Sequence, residues 1–295
     1  MSINNKYFFT EVKFYMKFKY FGTAAAEGFP GLFCSCEHCV RAQKAGGKNI
    51  RTRSQALVNN NLLIDFPADT YHHIIKDGLN LTKVKNIIIT HSHEDHFYPK
   101  DLHMAYPPFA YGADKQKITP INIYGNESVN SYAGEFKTEI VKFHEIYAFR
   151  ELFIDNYVVT PLKADHDQSQ NCFIYVIEDN INDISAKKIL YGNDTGYFPY
   201  ETWDYLHENH TGSNKFDFVS LDATSIAIDC RHGHMGIDCG AEVRDRLVKM
   251  GSADDKTVFC FHHFSHNGAK IYDELVPIAK DMGFIVSYDG MEIDI

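Results

Sequence analysis

The 295-residue chain has no long uninterrupted apolar run and no excess of basic side chains. A membrane-spanning helix needs about 20 consecutive apolar residues, so none is predicted. The 29 Lys and Arg residues are outnumbered by 39 Asp and Glu residues, which gives a net charge of −10. Binding to extended nucleic acid depends on clustered positive charge, so this balance disfavours nucleic acid as a partner.

The first fifteen residues lack the continuous apolar core of a secretory signal, because Lys6, Glu11 and Lys13 interrupt their aromatic side chains. We therefore expect a cytoplasmic protein. The seven cysteines are odd in number, and Cys34, Cys36 and Cys39 crowd within six positions. This crowding favours metal ligation in a reducing compartment over a disulfide framework.

Three thiolates at positions i, i+2 and i+5 can occupy three corners of a tetrahedral zinc site, which leaves the fourth corner for a remote histidine. The alternative is three buried or free thiols without a metal. The glycine-containing loop before them, G-T-A-A-A-E-G-F-P, fits no Walker pattern and is weak evidence for phosphate binding on its own.

Histidine is abundant, with 16 residues, and four metal-binding side chains are concentrated in T-H-S-H-E-D-H-F at residues 90–97. Three isoleucines precede the motif and predict a buried strand that ends in a loop. A loop lets near neighbours converge on one point, whereas a continued strand would send alternate side chains to opposite faces. His91 and His93 can reach one ion, and Asp95 and His96 a second. The alternative is a solvated histidine cluster.

Imidazole and carboxylate ligands suit zinc best, with manganese and iron as competitors. Asp194 follows an apolar strand in Y-G-N-D-T-G, where a carboxylate between glycines could bridge two cations or form an Asx turn. Asp65 ends a predicted strand and either orients the histidine loop or caps the helix predicted after Pro67.

Strand and helix patterns alternate along the rest of the chain, without a long Pro-rich or Ser-rich linker. The runs around Asn59–Asn61 predict a hairpin over 55–65. Helices are predicted over 67–78, 126–134, 241–250 and 271–282, and the last strong strand over 257–261. The aromatic, proline-bearing segment 98–112 is interpreted either as a wall of the substrate pocket or as satellite core.

The histidine motif, its place after an apolar strand and the later single ligands resemble the metallo-β-lactamase superfamily of dinuclear metallohydrolases. The resemblance covers nearly the whole chain from Met16. It implies an α/β (α+β) fold, a four-layer αββα sandwich, built as one domain by residues 16–295. Residues 1–15 are then a leader of unknown order.

The resemblance also assigns ligands that residue type alone does not. His166 matches the third histidine of the first ion, although an isolated histidine after a strand is more often ordinary surface. In H-H-F-S-H, His263 would complete the second ion's ligands and His266 would be the fourth ligand of the cysteine zinc. His262 could replace His263 if the register slips. Asp194 would bridge the two ions.

The loop G-T-A-A-A-E-G-F-P followed by C-S-C-E-H-C resembles a more specific, PhnP-like branch that includes the phosphoribosyl 1,2-cyclic phosphate phosphodiesterase of phosphonate breakdown. That branch implies two divalent active-site ions and one structural zinc. G-H-M-G resembles the position where phosphodiester-cleaving members keep a histidine beside the metals. His234 and Asp95 are therefore the predicted catalytic residues, the alternative for His234 being a helix-start residue packed on the sheet.

The expected function is a dinuclear-metal-dependent phosphodiesterase that opens a small anionic cyclic diester, with 5-phosphoribosyl 1,2-cyclic phosphate as the leading substrate. Two ions would lower the pKa of a shared water from about 15.7 toward about 7 and so supply a nucleophile at neutral pH. The alternatives are thioester, lactone or RNA 3′-processing hydrolases of the same fold, and a non-hydrolytic protein resembling the pyrroloquinoline quinone biosynthesis B protein. A homodimer is compatible with the sequence.

Overall fold

The computed structural model describes residues 16–113, 118, 120–179 and 186–295. The predicted leader, residues 1–15, lies outside the described residues. No helix within the described ranges is long and apolar enough to cross a membrane. The strands of these ranges are β1 (Lys17–Gly22), β2 (Gln55–Val58), β3 (Leu62–Ile64), β4 (Asn86–Ile88), β5 (Ile121–Gly125), β6 (Val141–Glu145), β7 (Leu152–Ile154), β8 (Tyr157–Lys163), β9 (Phe173–Asp179), β10 (Lys188–Gly192), β11 (Phe218–Asp222), β12 (Val258–His262), β13 (Ile285–Val286) and β14 (Glu292–Asp294).

Six α-helices connect these strands in the described part of the chain, together with short 3₁₀ turns such as Pro99–Ala105. The sequence patterns predict the helices at Thr70–Asp77, Glu127–Tyr132, Ile237–Lys249 and Tyr272–Asp281. They do not predict those at Glu37–Ala45 and Tyr200–Asn209, and the buried face of the latter has just two large apolar side chains, Trp203 and Leu206. The helices are α1 (Glu37–Ala45), α2 (Thr70–Asp77), α3 (Glu127–Tyr132), α4 (Tyr200–Asn209), α5 (Ile237–Lys249) and α6 (Tyr272–Asp281).

The strands form two mixed sheets of seven strands each in the described residues. The first has the order β14-β1-β2-β3-β4-β5-β6 and the second β13-β12-β11-β10-β9-β8-β7. The predicted hairpin is β2–β3, in which Ala56 pairs with Ile64. From β3 to β6 and from β10 to β13 the neighbouring strands are parallel, so their carboxyl ends meet at one edge of each sheet.

The two sheets pack face to face around an aromatic core. In β1, Phe18 and Tyr20 alternate with Lys17 and Lys19, and both aromatic residues are fully buried. The Phe18 ring lies 5.3 Å from that of Phe218 on the other sheet. The period-two alternation therefore aims one face of β1 at the second sheet.

Helices cover the outer face of each sheet. Val129 of α3 packs on the first sheet, and Trp203 of α4, Leu247 of α5 and Leu275 of α6 pack on the second. The layers are therefore helix, sheet, sheet, helix, and the predicted αββα sandwich is confirmed.

Phe218→Ala should lower the free energy of unfolding by about 3–5 kcal/mol, because it leaves a cavity in the layer between the sheets. Urea titration followed by circular dichroism measures this change. The matched control is Phe153→Ala on β7, where the side chain is 75% exposed and the expected change is below about 0.5 kcal/mol. Equal losses in the two variants would contradict the assigned core.

Candidate metal centre

The predicted ligands lie in loops that follow strands of both sheets. The histidine motif follows β4 of the first sheet, whereas His166, Asp194 and His263 follow β8, β10 and β12 of the second. β8 runs in the direction of β10 and β12, so these three strands end at one edge of the second sheet, and the shared donor groups place the loop after β4 at the same edge. Loops at this edge therefore bring distant residues together.

Hydrogen bonds from the second sheet fix the start of the histidine loop. The Tyr175 hydroxyl donates to the carbonyl oxygen of Ile89 at 2.6 Å, and the backbone N–H of Phe173 donates to the carbonyl oxygen of Thr90 at 3.0 Å. Both β9 residues are buried. The position of the loop is thus set by both sheets.

His91, His93 and His166 form the first group of donor atoms. His91 Nε2 lies 2.8 Å from His93 Nδ1, and His166 Nε2 lies 3.4 Å from the same atom. All three donors fall within 4.8 Å of one another. This arrangement matches the predicted ligand set of the first ion, and it places His166 in the site instead of on an ordinary surface.

A second group contains Asp95, His96, Asp194 and His263, whose donor atoms also lie within 4.8 Å of one another. His96 Nε2 lies 3.3 Å from His263 Nε2 and 3.2 Å from an Asp95 oxygen. Asp194 Oδ2 contacts His96 and lies 3.7 Å from His91 Nε2 in the first group. Asp194 is therefore placed between the two groups, as a bridging carboxylate would be.

In four of these histidines one ring nitrogen faces the donor group while the other contacts a protein acceptor. An N–H directed at that acceptor leaves a lone pair on the nitrogen that faces the group, which is the tautomer a metal ligand requires. The contacts are His93 Nε2 to Asp167 Oδ2 (3.2 Å), His96 Nδ1 to Asp65 Oδ2 (2.7 Å), His166 Nδ1 to the carbonyl oxygen of Gly233 (2.9 Å) and His263 Nδ1 to Thr224 Oγ1 (2.8 Å).

The charge distribution of the two groups also fits cations. Burial alone would raise the pKa of Asp194, but the imidazoles of His263 and His96 outweigh it and hold the pKa well below its usual value. Asp194 Oδ1 is buried without a hydrogen-bond partner. Burial, followed by the nearby His96, lowers the pKa of His91 well below 6.5. An ionised carboxylate buried among imidazoles suits a dinuclear divalent-metal site.

The alternatives left open for Asp65 and His262 are resolved by their contacts. Asp65 is fully buried, and it accepts hydrogen bonds from the Thr90 N–H at 2.8 Å and from His96. It does not cap α2, because Asp69 occupies the N-cap position. His262 instead contacts Ser54 Oγ at 3.0 Å in the core between the sheets, so the register does not slip.

Three residues of the site have left-handed backbone conformations although none is glycine. The φ angles are 64° at Asp65, 47° at Asp194 and 64° at His263; Asp65 and His263 directly follow a strand, and Asp194 is the second residue after β10. Such conformations cost on the order of 1–3 kcal/mol each and persist where surrounding contacts enforce them. The backbone therefore turns abruptly at the points where these side chains enter the site.

His234 lies beside the two groups and is held by Asp222, a residue for which the sequence predicts no role. His234 Nδ1 is 3.1 Å from Asp222 Oδ2 and 3.4 Å from Asp194 Oδ1. Burial alone would lower the pKa of His234, but Asp222 and then Asp194 raise it to about 9. Like Asp194, Asp222 is an acid at the end of a buried strand, and that shared pattern is the sequence signal for it.

The three cysteines and His266 form a separate group, with all donor atoms within 4.8 Å. His266 Nδ1 lies 3.5 Å from Cys36 Sγ and 3.6 Å from Cys34 Sγ. The backbone N–H of Cys39 at the start of α1 donates to Cys36 Sγ and, as the largest contribution, lowers the pKa of Cys36 to about 6. Three thiols and one imidazole match the ligand set of a structural zinc site.

A cleft of about 380 Å³ opens at the metal-ligand groups. His93, His166, Asp194, His234 and His263 line it, together with residues 25–27 of the glycine-containing loop. The aromatic segment 98–112 does not line this cleft. It lines a separate apolar cavity of about 740 Å³ on the outer face of the first sheet, so its interpretation as a wall of the metal cleft is wrong.

Comparison with known proteins supports this architecture. No curated protein sequence gives a significant match. Among solved structures, a new diphosphatase from the PhnP family is similar, with a TM-score of 0.70 and 17% identity over 96% of this chain and 98% of that one. Zn²⁺-bound PqqB from Methylobacterium extorquens gives a TM-score of 0.65 and 15% identity over 95% of this chain and 100% of that one.

Human tRNase Z, short form, is also similar, with a TM-score of 0.60 and 18% identity over 94% of this chain and 98% of that one. At these identities the similarity establishes the fold alone. The family model described as a beta-lactamase superfamily domain matches residues 61–263, which is more than half of the chain. This match includes the histidine motif, Asp194 and His263, and the chain therefore belongs to the metallo-β-lactamase superfamily.

Proposed function

We propose that the protein is a dinuclear-metal-dependent phosphodiesterase that opens a small cyclic phosphodiester to a monoester. The observation that carries the proposal is the Asp222–His234 pair, which lies in the same cleft as the two groups of metal-binding side chains. Many hydrolytic reactions can use a dinuclear site. A separate, carboxylate-held imidazole beside it adds a proton donor for a poor leaving group such as a ribose hydroxyl.

In this proposal the first ion is held by His91, His93 and His166 and the second by Asp95, His96 and His263, with Asp194 shared. Zinc suits these ligands best, with manganese or iron as alternatives. Two such cations would neutralise phosphoryl oxygens and lower the pKa of a shared water. Cys34, Cys36, Cys39 and His266 would hold a structural zinc away from the chemistry.

The chain's own residues then have distinct tasks. Asp222 holds Nδ1 of His234, which leaves Nε2 as the atom that gives its proton to the departing oxygen as the P–O bond breaks. Water supplies the new oxygen on phosphorus, and its proton returns to His234 after product formation. The fully buried Asp222 keeps the imidazole oriented throughout.

The cleft favours a small substrate over extended RNA. Its volume of about 380 Å³ is near the lower end for small-molecule sites. The chain also carries a net charge of −10, which opposes phosphate-backbone binding. The 5-phosphoribosyl 1,2-cyclic phosphate suggested by the PhnP-like resemblance belongs to this class of small diesters.

Cys36→Ala should lower the bound zinc by one ion per chain, from three to two, because it removes one of the four donors of the cysteine–histidine group. Elemental analysis of the purified, metal-loaded protein measures this. The control is Cys239→Ala, which removes a buried thiol outside that group and should leave three ions. One ion per chain in the unaltered protein would instead favour a single-site, non-hydrolytic protein.

Asp65→Asn should weaken binding of the ion held by Asp95, His96 and His263 by about 10- to 100-fold, because an amide does not orient His96 as a carboxylate does. Competition with a metal-binding dye measures the affinity. Asp204→Asn, an exposed change on α4, serves as the control. Unchanged affinity in Asp65→Asn would show that His96 does not depend on this contact.

His234→Ala should slow hydrolysis of adenosine 2′,3′-cyclic phosphate by about 10²- to 10⁴-fold, because the ribose oxygen must leave with a proton. Hydrolysis of bis(p-nitrophenyl) phosphate should fall far less, because p-nitrophenolate leaves without one. Metal content, measured in parallel, should stay unchanged.

The matched control is His232→Ala, two residues away, whose side chain is 93% exposed and does not line the cleft. It should leave both rates unchanged. If His234→Ala lowers the hydrolysis rates of both substrates equally, His234 is not the proton donor. If the unaltered protein hydrolyses neither substrate, the phosphodiesterase proposal is refuted.

A further inference from the structure

The part of the cleft wall outside the ligand groups carries a negative charge. Glu27 lines the same cleft as His93, Asp194 and His263, and its side chain is 31% exposed. The remaining wall positions there are small, hydroxyl-bearing or amide residues, including Ser225 and Asn267. Among the described residues that line the cleft, Glu27 therefore supplies the carboxylate outside the metal-ligand groups that can contact a bound substrate.

Contacts with the loop after β12 hold Glu27 in this position. Ala24 forms a bridge with Phe264, and the Ala25 N–H donates to the carbonyl oxygen of Phe264 at 3.0 Å. The Ser265 hydroxyl donates to Glu27 Oε1, which also lies 3.6 Å from His266 Nε2. Both contacts use Oε1, so Oε2 is left for water or for a hydroxyl group of a ligand.

No lysine or arginine lines the cleft in the described part of the chain. Arg53 contacts this wall from outside the cleft, where its Nε–H donates to the carbonyl oxygen of Ala26 at 2.7 Å. Its guanidinium is also paired with Asp69 at 3.2 Å, so its charge is compensated. Among the described residues that line the cleft, the side chains able to carry a positive charge are therefore histidines of the metal-ligand groups and His234.

On the basis of the proposed function, we infer that the cleft selects a phosphodiester that carries hydroxyl groups and no charge outside its reacting phosphate. Glu27 determines this selectivity. One phosphate is accommodated at the metal-ligand groups. A second phosphate on the same molecule would meet the Glu27 carboxylate without a compensating cation. A sugar or polyol hydroxyl would instead donate to Oε2. Within the class of small cyclic diesters, the 5-phosphoribosyl 1,2-cyclic phosphate suggested by the resemblance would then bind less well than its counterpart without the 5-phosphate, which changes the leading substrate expected from the sequence.

The test measures binding and does not require turnover. Isothermal titration calorimetry compares adenosine 3′-monophosphate with adenosine 3′,5′-bisphosphate on the metal-loaded protein. We expect the bisphosphate to bind more weakly, on the order of ten-fold, as like charges at close range in a partly solvated cleft predict. Glu27→Gln, measured at a zinc content matched to that of the unaltered protein because Glu27 contacts His266, should narrow the difference between the two dissociation constants, chiefly by strengthening bisphosphate binding.

The matched control is Glu37→Gln, which removes the same charge from a 77% exposed side chain near the cysteine cluster but outside the cleft. This variant should bind the monophosphate and the bisphosphate with the same difference in affinity as the unaltered protein. Tighter or equal binding of the bisphosphate to the unaltered protein would overturn the inference, as would failure of the monophosphate to bind. An unchanged difference in Glu27→Gln would overturn the role of Glu27. Turnover of the cyclic nucleotide tests the phosphodiesterase proposal separately.

Discussion

The site depends on one junction between the sheets, where Tyr175 and Phe173 of β9 hydrogen-bond to the backbone of Ile89 and Thr90. The first sheet carries the histidine motif, and the second carries His166, Asp194 and His263. The ligands from one sheet alone do not complete either of the two groups of donor atoms. The aromatic layer between the sheets holds them at a fixed separation, and these two hydrogen bonds set the loop in register with the opposite strands. Packing of the core therefore determines the geometry of the centre.

The buried Asp65 extends the same constraint into the loop. Its carboxylate holds the backbone of Thr90 and one ring nitrogen of His96, at the cost of a left-handed backbone. Asp194 and His263 carry similar strain. In a globular protein whose net stability is of order 5–15 kcal/mol, three such residues are a substantial cost, and the large core between the sheets offsets it. The functional edge is the strained part of the fold, and the core is the stabilising part.

The histidine motif and Asp194 are predicted from the residues themselves because their signals are local, whereas the sandwich and the roles of His166 and His263 follow from the family resemblance. Apolar runs followed by ligand residues identify the ends of β4 and β10 without knowledge of the partners. Asp222 shows the same local pattern, an acid at the end of a buried strand, but its role could not be predicted because it depends on His234, which approaches from a different loop. Glu27 is likewise recognisable only after the glycine-containing loop docks beside Ser265. The cavity lined by segment 98–112 could not be placed either, because closeness in sequence to the histidine motif did not determine which face of the sheet the segment would cover.

The two kinds of metal-binding group also differ in how far apart their donors lie along the chain. Cys34, Cys36 and Cys39 are near neighbours, so an unfolded nascent polypeptide already presents most of one ligand set. The other donors run from His91 to His263 and come together after synthesis of β12 and closure of both sheets. The three thiols can therefore come together before the fold is complete, whereas the donors of the two histidine-containing groups converge only when both sheets have formed.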